Sequence, residues 1–210
     1  MVQPPSPAPR VSLCLLRMRN GRPTDPLAQR FDKGASNLSP IQAEQVSIRQ
    51  AQHGDGAGMW QVVKDCGVLD LNSAYLYMLQ ANHFAETCAV ATVDERIVGL
   101  VTGHCPPNRP GAVFLWQVGI RPEAQGLGLG KKLVSAFLKL PGAEGAVRLE
   151  TTITPSNEAS RALFKRIAAD LDADFQVSPF FTADEFPDAG HEPEELITIT
   201  PLNADAIKHL

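Results

Sequence analysis

The stretch VGIRPEAQGLGLGKK, residues 118–132, runs from a strand-like end through glycines at 126, 128 and 130 into two lysines. Glycine at every second position removes the Cβ atoms that would keep a ligand off the backbone. Three phosphate loops are written in such text, and spacing separates them. The G-x-x-x-x-G-K-[ST] loop would need glycine at 125 and a hydroxyl at 132, where this chain has Gln125 and Lys132. The dinucleotide fingerprint G-x-G-x-x-G would need a glycine at 131 and a loop directly after its strand; Lys131 and the intervening RPEA exclude it. What remains is Q-x-x-G-x-G, at Gln125, Gly128 and Gly130, leading straight into a helix. Backbone N–H groups at a helix N-terminus, helped by the helix dipole, suit a pyrophosphate. Lys131 and Lys132 can add charge at its rim.

The flanking text gives the loop its frame. AVFLWQVGI before it reads as a long apolar strand, and KKLVSAFLKL after it as a helix with Leu133, Val134, Phe137 and Leu138 on one stripe. Further on, AVRLETTIT is a strand and PSNEASRALFKRIAADL a helix with Pro155 near its first turn. DFQVSPFF and EELITITP close the pattern as two strands. Upstream, VSIRQA alternates as a strand, and GDGAGMWQVVKDCGVL and DLNSAYLYMLQANHF read as helices, the second capped by Asp70 or Asn72. TCAVATVDERIVGLVTG is a hairpin turning at Asp94–Glu95. This order predicts an α/β fold, a mixed sheet with helices on both faces. Residues 1–45 are turn-rich and show no period, so they read as an N-terminal extension, poorly ordered or loosely docked. Residues 46–202 form the domain, and 203–210 are set apart as a C-terminal tail.

Composition narrows the partners. The 210 residues carry a net charge of -4 with a pI near 5.7, which argues against nucleic acid or an anionic membrane surface. No apolar run approaches the ~18 residues of a membrane span. Four cysteines (Cys14, Cys66, Cys88, Cys105) lie far apart with no C-x-x-C pair. They predict reduced thiols in a cytoplasmic protein and no metal site.

With its strand and helix, the Q-x-x-G-x-G loop resembles the acetyl-CoA loop of the GNAT N-acetyltransferase superfamily. The resemblance implies that superfamily's mixed, mostly antiparallel sheet, with acetyl-CoA as cosubstrate. It places Gln125, Gly126, Gly128, Gly130 and Lys131 around the pyrophosphate. It also implies that the strand before the loop splays from its neighbour, so that backbone at Val118 and Ile120 binds pantetheine and the Val118 N–H polarises the thioester. Asn157, Ala159 (shifted by one), Leu163 and Phe164 resemble the family's N-x-x-A-x-x-L-[YF] helix. Asn157 would bond the pantetheine arm, cap the helix, or both. Many members carry tyrosine where this chain has Phe164, so the proton donor to the leaving thiolate lies elsewhere or is water.

Four further blocks, CGVLDLNSAYLY, FLWQVGI, RLETTITPSNEASRALF and GHEPE, resemble the L-2,4-diaminobutyrate acetyltransferases of ectoine biosynthesis, a likeness covering roughly residues 46–200. It implies direct, ternary-complex transfer of acetyl to the γ-amine of L-2,4-diaminobutyrate, and leaves a homodimer open. That acceptor carries two ammonium groups and one carboxylate, so its pocket needs negatively charged acceptors. The substrate residues implied are Asp70, Asn72, Tyr75, Trp116, Glu150, Thr152, His191 and Glu194; the catalytic set is Glu150, Tyr75 and Val118. The base stays open between Glu150, His191 and a relayed water. Plainer readings stand beside these: a helix cap for Asp70, a core tyrosine for Tyr75, a solvated edge residue for Glu150. Two rival functions also stand. One is acetylation of another small amine or a protein lysine, and the other a non-catalytic acyl-CoA sensor, which Phe164 favours.

Overall fold

The computed structural model describes residues 41–67, 69–187 and 190–210. Seven strands form one sheet: β1 (Ser47–Gln50), β2 (Cys88–Val93), β3 (Arg96–His104), β4 (Ala112–Ile120), β5 (Arg148–Ile153), β6 (Asp174–Phe181) and β7 (Glu194–Thr200). Their order is β1-β2-β3-β4-β5-β7-β6, and only the β4–β5 pair is parallel. Helices α1 (Gly56–Cys66) and α2 (Ala74–His83) lie between β1 and β2 in the chain. Helices α3 (Leu129–Leu138) and α4 (Glu158–Asp170) follow β4 and β5, and α5 (Ala204–His209) ends the chain.

Each face of the sheet has its own core. On one side Leu133, Val134 and Phe137 of α3 and Phe164 and Ile167 of α4 pack with Val113, Leu115, Val118, Leu149 and Ile197. On the other, Met59 and Val62 of α1 and Tyr77 and Ala81 of α2 pack with Val90 and Leu100. β3 is covered on both faces and accordingly reads as a continuous apolar run. α1 and α2 meet closely because Gly56 has no side chain; a Cβ there would lie 2.6 Å from the Met78 Cα. The β2–β3 hairpin turns on Asp94 and Glu95, both at positive φ (46° and 67°), the geometry that matches strand twist in a two-residue turn.

Two irregularities at the centre of the sheet shape the rest of the molecule. β4 and β5 pair only through Ala112–Arg148, Val113–Leu149 and Phe114–Glu150, and beyond Phe114 β4 continues without β5 as a partner. In addition, Thr102 faces Gln117 while Gly103 faces Leu115, which leaves Trp116 as an extra residue in a β-bulge. The bulge resets the alternation of β4. Val113 and Leu115 before it, and Val118 and Ile120 after it, all point into the α3–α4 core.

Several local expectations change. α2 is capped by Ser73, so Asp70 and Asn72 lie in the loop before the helix rather than at its cap. α4 begins at Glu158 with Asn157 as its cap, and Pro155 stands two residues before that cap, near the first turn as expected. Residues 203–210 do not run free: Asn203 caps α5, and Ala206, Ile207 and Leu210 pack against the α3–α4 core. Ile41 and Val46 also pack there, around a short 3-10 turn at Ala43–Gln45. The remainder of the predicted extension, residues 1–40, lies outside the described residues. Among the described residues no helix is long and apolar enough to cross a membrane.

Candidate active site

The glycine loop leaves β4 through a 3-10 turn at Pro122–Ala124 and enters α3 at Leu129. Gly126 and Gly128 both sit at positive φ (81° and 71°), and Gly128 is the cap of α3. A Cβ built on either would meet nothing within 4 Å. The backbone conformation demands glycine, while the space in front of the loop stands open to a ligand. Gly130 is buried in the first turn of α3. The Gln125 amide donates to the Ile120 carbonyl at 3.3 Å and ties the loop back to the strand. Arg121 supports the base of the loop, bonding Ile97 O and pairing with Asp65 of α1. Lys131 pairs with Asp170 at the end of α4, 2.9 Å away, so its charge is already engaged.

The missing β4–β5 pairing exposes backbone. The Arg121 N–H donates to Val98 O on the β3 side. Strand alternation then turns the N–H groups of Val118 and Ile120 the other way, into the gap that β5 vacates. Asn157, at the turn between β5 and α4, accepts a bond from the Ser160 N–H at 3.1 Å through its Oδ1. Its amide NH2 is left to serve a ligand, so capping and ligand binding are compatible.

The opposite face of the same strands carries a polar cluster. Ile197 and Ile199 of β7 face the α3–α4 core, so Glu194, Leu196 and Thr198 face away from it. By the same alternation Glu150 and Thr152 of β5, which pair with Thr198 and Leu196, project on that outer face. The loop before α2 is fastened to β4 there: Gln117 Nε2 and Asn72 Nδ2 both donate to Asp70 O at 3.3 Å. The buried Tyr77 hydroxyl donates to Gln117 Oε1 at 3.1 Å, and Trp60 Nε1 to Asn72 O at 3.1 Å. The half-buried Trp116 occupies the bulge beside Gln117.

Two glutamates share this face in opposite states. Glu150, 1% exposed, receives Arg109 Nε at 2.6 Å, Arg109 Nη2 at 2.9 Å and Arg148 Nε at 2.7 Å. Burial pushes its pKa up, but the two guanidinium groups outweigh burial and hold it below the usual carboxylate range. Glu194, 2% exposed, has no arginine against it among the described residues, and neither buried oxygen accepts a hydrogen bond of normal geometry from them. Burial pushes its pKa up to about 7; Asp70 and Glu192 add to the rise, while the nearby Thr152 hydroxyl opposes it.

The structure thus gathers Asp70, Asn72, Thr152 and Glu194 around the end of the gap, and Trp116 stands in the β4 bulge next to Gln117. It does not support three of the expected roles. Tyr75 is 66% exposed; α2 turns Tyr77 inward instead, on the face shared with Gln80 and Ala81. Glu150 is not a solvated edge residue, and two arginines that donate three hydrogen bonds and lower its pKa make it a weak proton acceptor. His191 stacks on Phe186, ring centroids 3.6 Å apart, with Nδ1 2.6 Å from Glu192 O, in an aromatic run with Phe180 and Phe181. Sequence reasoning missed Tyr77, Gln117, Arg109 and Arg148. The i, i+3, i+4 spacing of Tyr77, Gln80 and Ala81 was the available signal for the first. The arginines gave none. Burial raises the thiol pKa of Cys66, and takes that of Cys88 up to about 12, which suits neither to nucleophilic attack. Among the described residues no cluster of three or more His, Cys, Asp or Glu could hold a metal ion.

Comparison with known proteins agrees with this geometry. The model of the acetyltransferase (GNAT) family matches residues 57–168. An L-2,4-diaminobutyric acid acetyltransferase of Marinococcus halophilus is 47% identical over 148 residues, 70% of this chain and 86% of that protein. One from Chromohalobacter salexigens is 40% identical over 191 residues, 87% of this chain and 99% of that protein. Among solved structures, the diaminobutyrate acetyltransferase EctA from Paenibacillus lautus, in complex with L-2,4-diaminobutyric acid and coenzyme A, superposes with a TM-score of 0.72. It is 35% identical, and the match covers 76% of this chain and 97% of that one.

Proposed function

The chain belongs to the acetyltransferase (GNAT) family, among its L-2,4-diaminobutyric acid acetyltransferases, and on that premise we propose that it moves acetyl from acetyl-CoA to the γ-amine of L-2,4-diaminobutyrate. The product is the Nγ-acetyl compound of ectoine biosynthesis. The observation that carries this reading is the pair of acids, Asp70 and Glu194, brought together with no arginine beside Glu194 among the described residues. A substrate with two ammonium groups brings Glu194 a positive charge.

The pyrophosphate of acetyl-CoA lies on the loop at Gly126 and Gly128 and on the N-terminus of α3, and the pantetheine arm follows the Val118 and Ile120 backbone through the gap. The Asn157 amide bonds that arm. The Val118 N–H points at the thioester oxygen and stabilises the oxyanion of the tetrahedral intermediate. Diaminobutyrate enters from the outer face, against Trp116, with Asp70, Asn72 and Thr152 around its ammonium groups. Transfer is direct, since among the described residues no cysteine is set up to form an acetyl-enzyme. Phe164, fully buried in the core, gives the thiolate no proton. The protein works in the cytoplasm. It pairs as a homodimer through β6, an edge strand whose Val177, Phe180 and Phe181 are exposed apolar side chains.

A panel of amines tests the reading, with thiol release from acetyl-CoA as the measurement. Diaminobutyrate should exceed 4-aminobutyrate in kcat/KM by about a hundredfold or more, because the second acid loses its partner when the α-ammonium is missing. Equal turnover of the two would leave only an amine acetyltransferase of unspecified substrate.

A further inference from the structure

We propose that Glu194 is the general base, taking the proton of the acceptor's γ-ammonium group directly. The inference rests on the amine acceptor assigned above and goes further by naming the atom that activates it.

Geometry selects Glu194 from the acids of the outer face. It is the first residue of β7, and β7 runs antiparallel to β5 with Ile153 paired to Glu195. Glu194 therefore lies beside the C-terminal end of β5, where β4 and β5 have parted. Glu150 sits at the last β4–β5 rung, where the strands are still joined, and is clamped by Arg109 and Arg148. Among the described residues the charged groups acting on Glu194 are acids: Asp70 from the loop before α2, and Glu192 two residues earlier, which accepts from Ser156 N and Oγ. Arg161 pairs with Glu195, the next residue along β7, whose side chain alternation sends to the other face. A buried carboxylate with both oxygens lacking donors, among other acids, is costly to ionise alone. A carboxylate in that condition takes up a proton readily near neutral pH, as its pKa of about 7 reflects.

The step balances without a further reactant. An N–H bond of the γ-ammonium breaks and its proton passes to Glu194 Oε. The freed lone pair attacks the thioester carbon, forming the C–N bond and an oxyanion. Collapse breaks the C–S bond and expels the thiolate, which takes the second nitrogen proton directly or through water. The Glu194 proton leaves to solvent when the product departs. Net, one ammonium and one thioester yield an amide, a thiol and one proton.

The test compares Glu194→Gln and Glu194→Asp with the parent enzyme in pH–rate profiles, with acetyl-CoA affinity measured by calorimetry. Gln keeps the shape and removes the base. It should lower kcat about a hundredfold or more at pH 7.5, with acetyl-CoA binding unchanged. The parent kcat/KM for diaminobutyrate should fall below about pH 7, following the carboxyl. Glu194→Gln should lose that bend and climb about tenfold per pH unit up to pH 9, as free amine accumulates in solution. Glu194→Asp should restore part of the rate and the bend. A Gln variant that keeps kcat and the parent profile while KM rises overturns the proposal, reducing Glu194 to an ammonium contact. Absence of diaminobutyrate turnover in the parent, with another amine accepted, overturns the acceptor assignment, and this proposal with it.

Discussion

Glu150 and Glu194 stand on one face of one sheet, within two adjacent strands, and both are almost wholly buried. Their surroundings make them different chemical species. At the joined end of β4 and β5, two arginines fix Glu150 as a carboxylate that accepts three charge-assisted hydrogen bonds. At the parted end, Glu194 faces acids, with no cation beside it among the described residues. Burial alone therefore says nothing about a carboxylate's role. What decides is whether the fold has provided the countercharge or left it for a ligand to bring.

The contrast can be broken most strongly at its structural end. Glu150→Ala should destabilise the protein by about 3–5 kcal/mol, toward the lower figure because Arg109 is about a third exposed. The melting temperature should fall by roughly 6–12 °C, while kcat of the folded fraction changes less than about tenfold. A collapse of kcat at unchanged melting temperature would make Glu150 catalytic after all. Because its folded pKa is depressed, its contribution is present at neutral pH and is lost as pH drops through that lowered value. The gap between parent and variant should therefore narrow in acid.

Glu194 should behave in the opposite sense. Its pKa rises from 4.5 to about 7 on folding, so the ionised form is penalised once the pH exceeds both values. Glu194→Gln should stabilise the ligand-free protein at pH 8 by up to ~3 kcal/mol and hardly at all near pH 4. Denaturant titrations at the two pH values measure the difference, and equal midpoint shifts at both would contradict it. Asp70→Ala sharpens the chemical end. It should cut kcat/KM for diaminobutyrate by about a hundredfold, roughly 2.7 kcal/mol, and leave acetyl-CoA affinity alone. A matching loss of coenzyme affinity would place Asp70 in the other half of the site.

The smallest effect lies through the sheet, on the apolar face. Phe164→Leu should cost roughly 1–2 kcal/mol of stability, from a partly filled cavity in the α3–α4 core. Turnover should persist. If kcat collapses while the melting temperature holds, the ring positions the thioester.

Local chemistry was legible in the text. The positive φ of Gly126 and Gly128, the turn at Asp94–Glu95 and the cap at Asn157 are short-range demands that particular residues answer within a few positions. The spacing that excluded two other phosphate loops is equally local, and so is the apolar patterning that put helices on both faces of the sheet. The acceptor site was legible only as far as the family likeness carried it. Tyr75 and Tyr77 are two residues apart on one helix; the spacing of Tyr77 with Gln80 and Ala81 marks a shared face, and the packing of α2 against α1 decides that this face turns inward. Trp116 is an extra residue where the register shifts at Gly103, a position where a Cβ would lie 2.3 Å from Phe114 O on the next strand. The roles of Glu150 and Glu194 separated because Arg109, 41 positions from Glu150 in the chain, folds back onto one and, among the described residues, no cation folds onto the other. Charge acts through space at a few ångströms, and those distances exist only once the chain has closed.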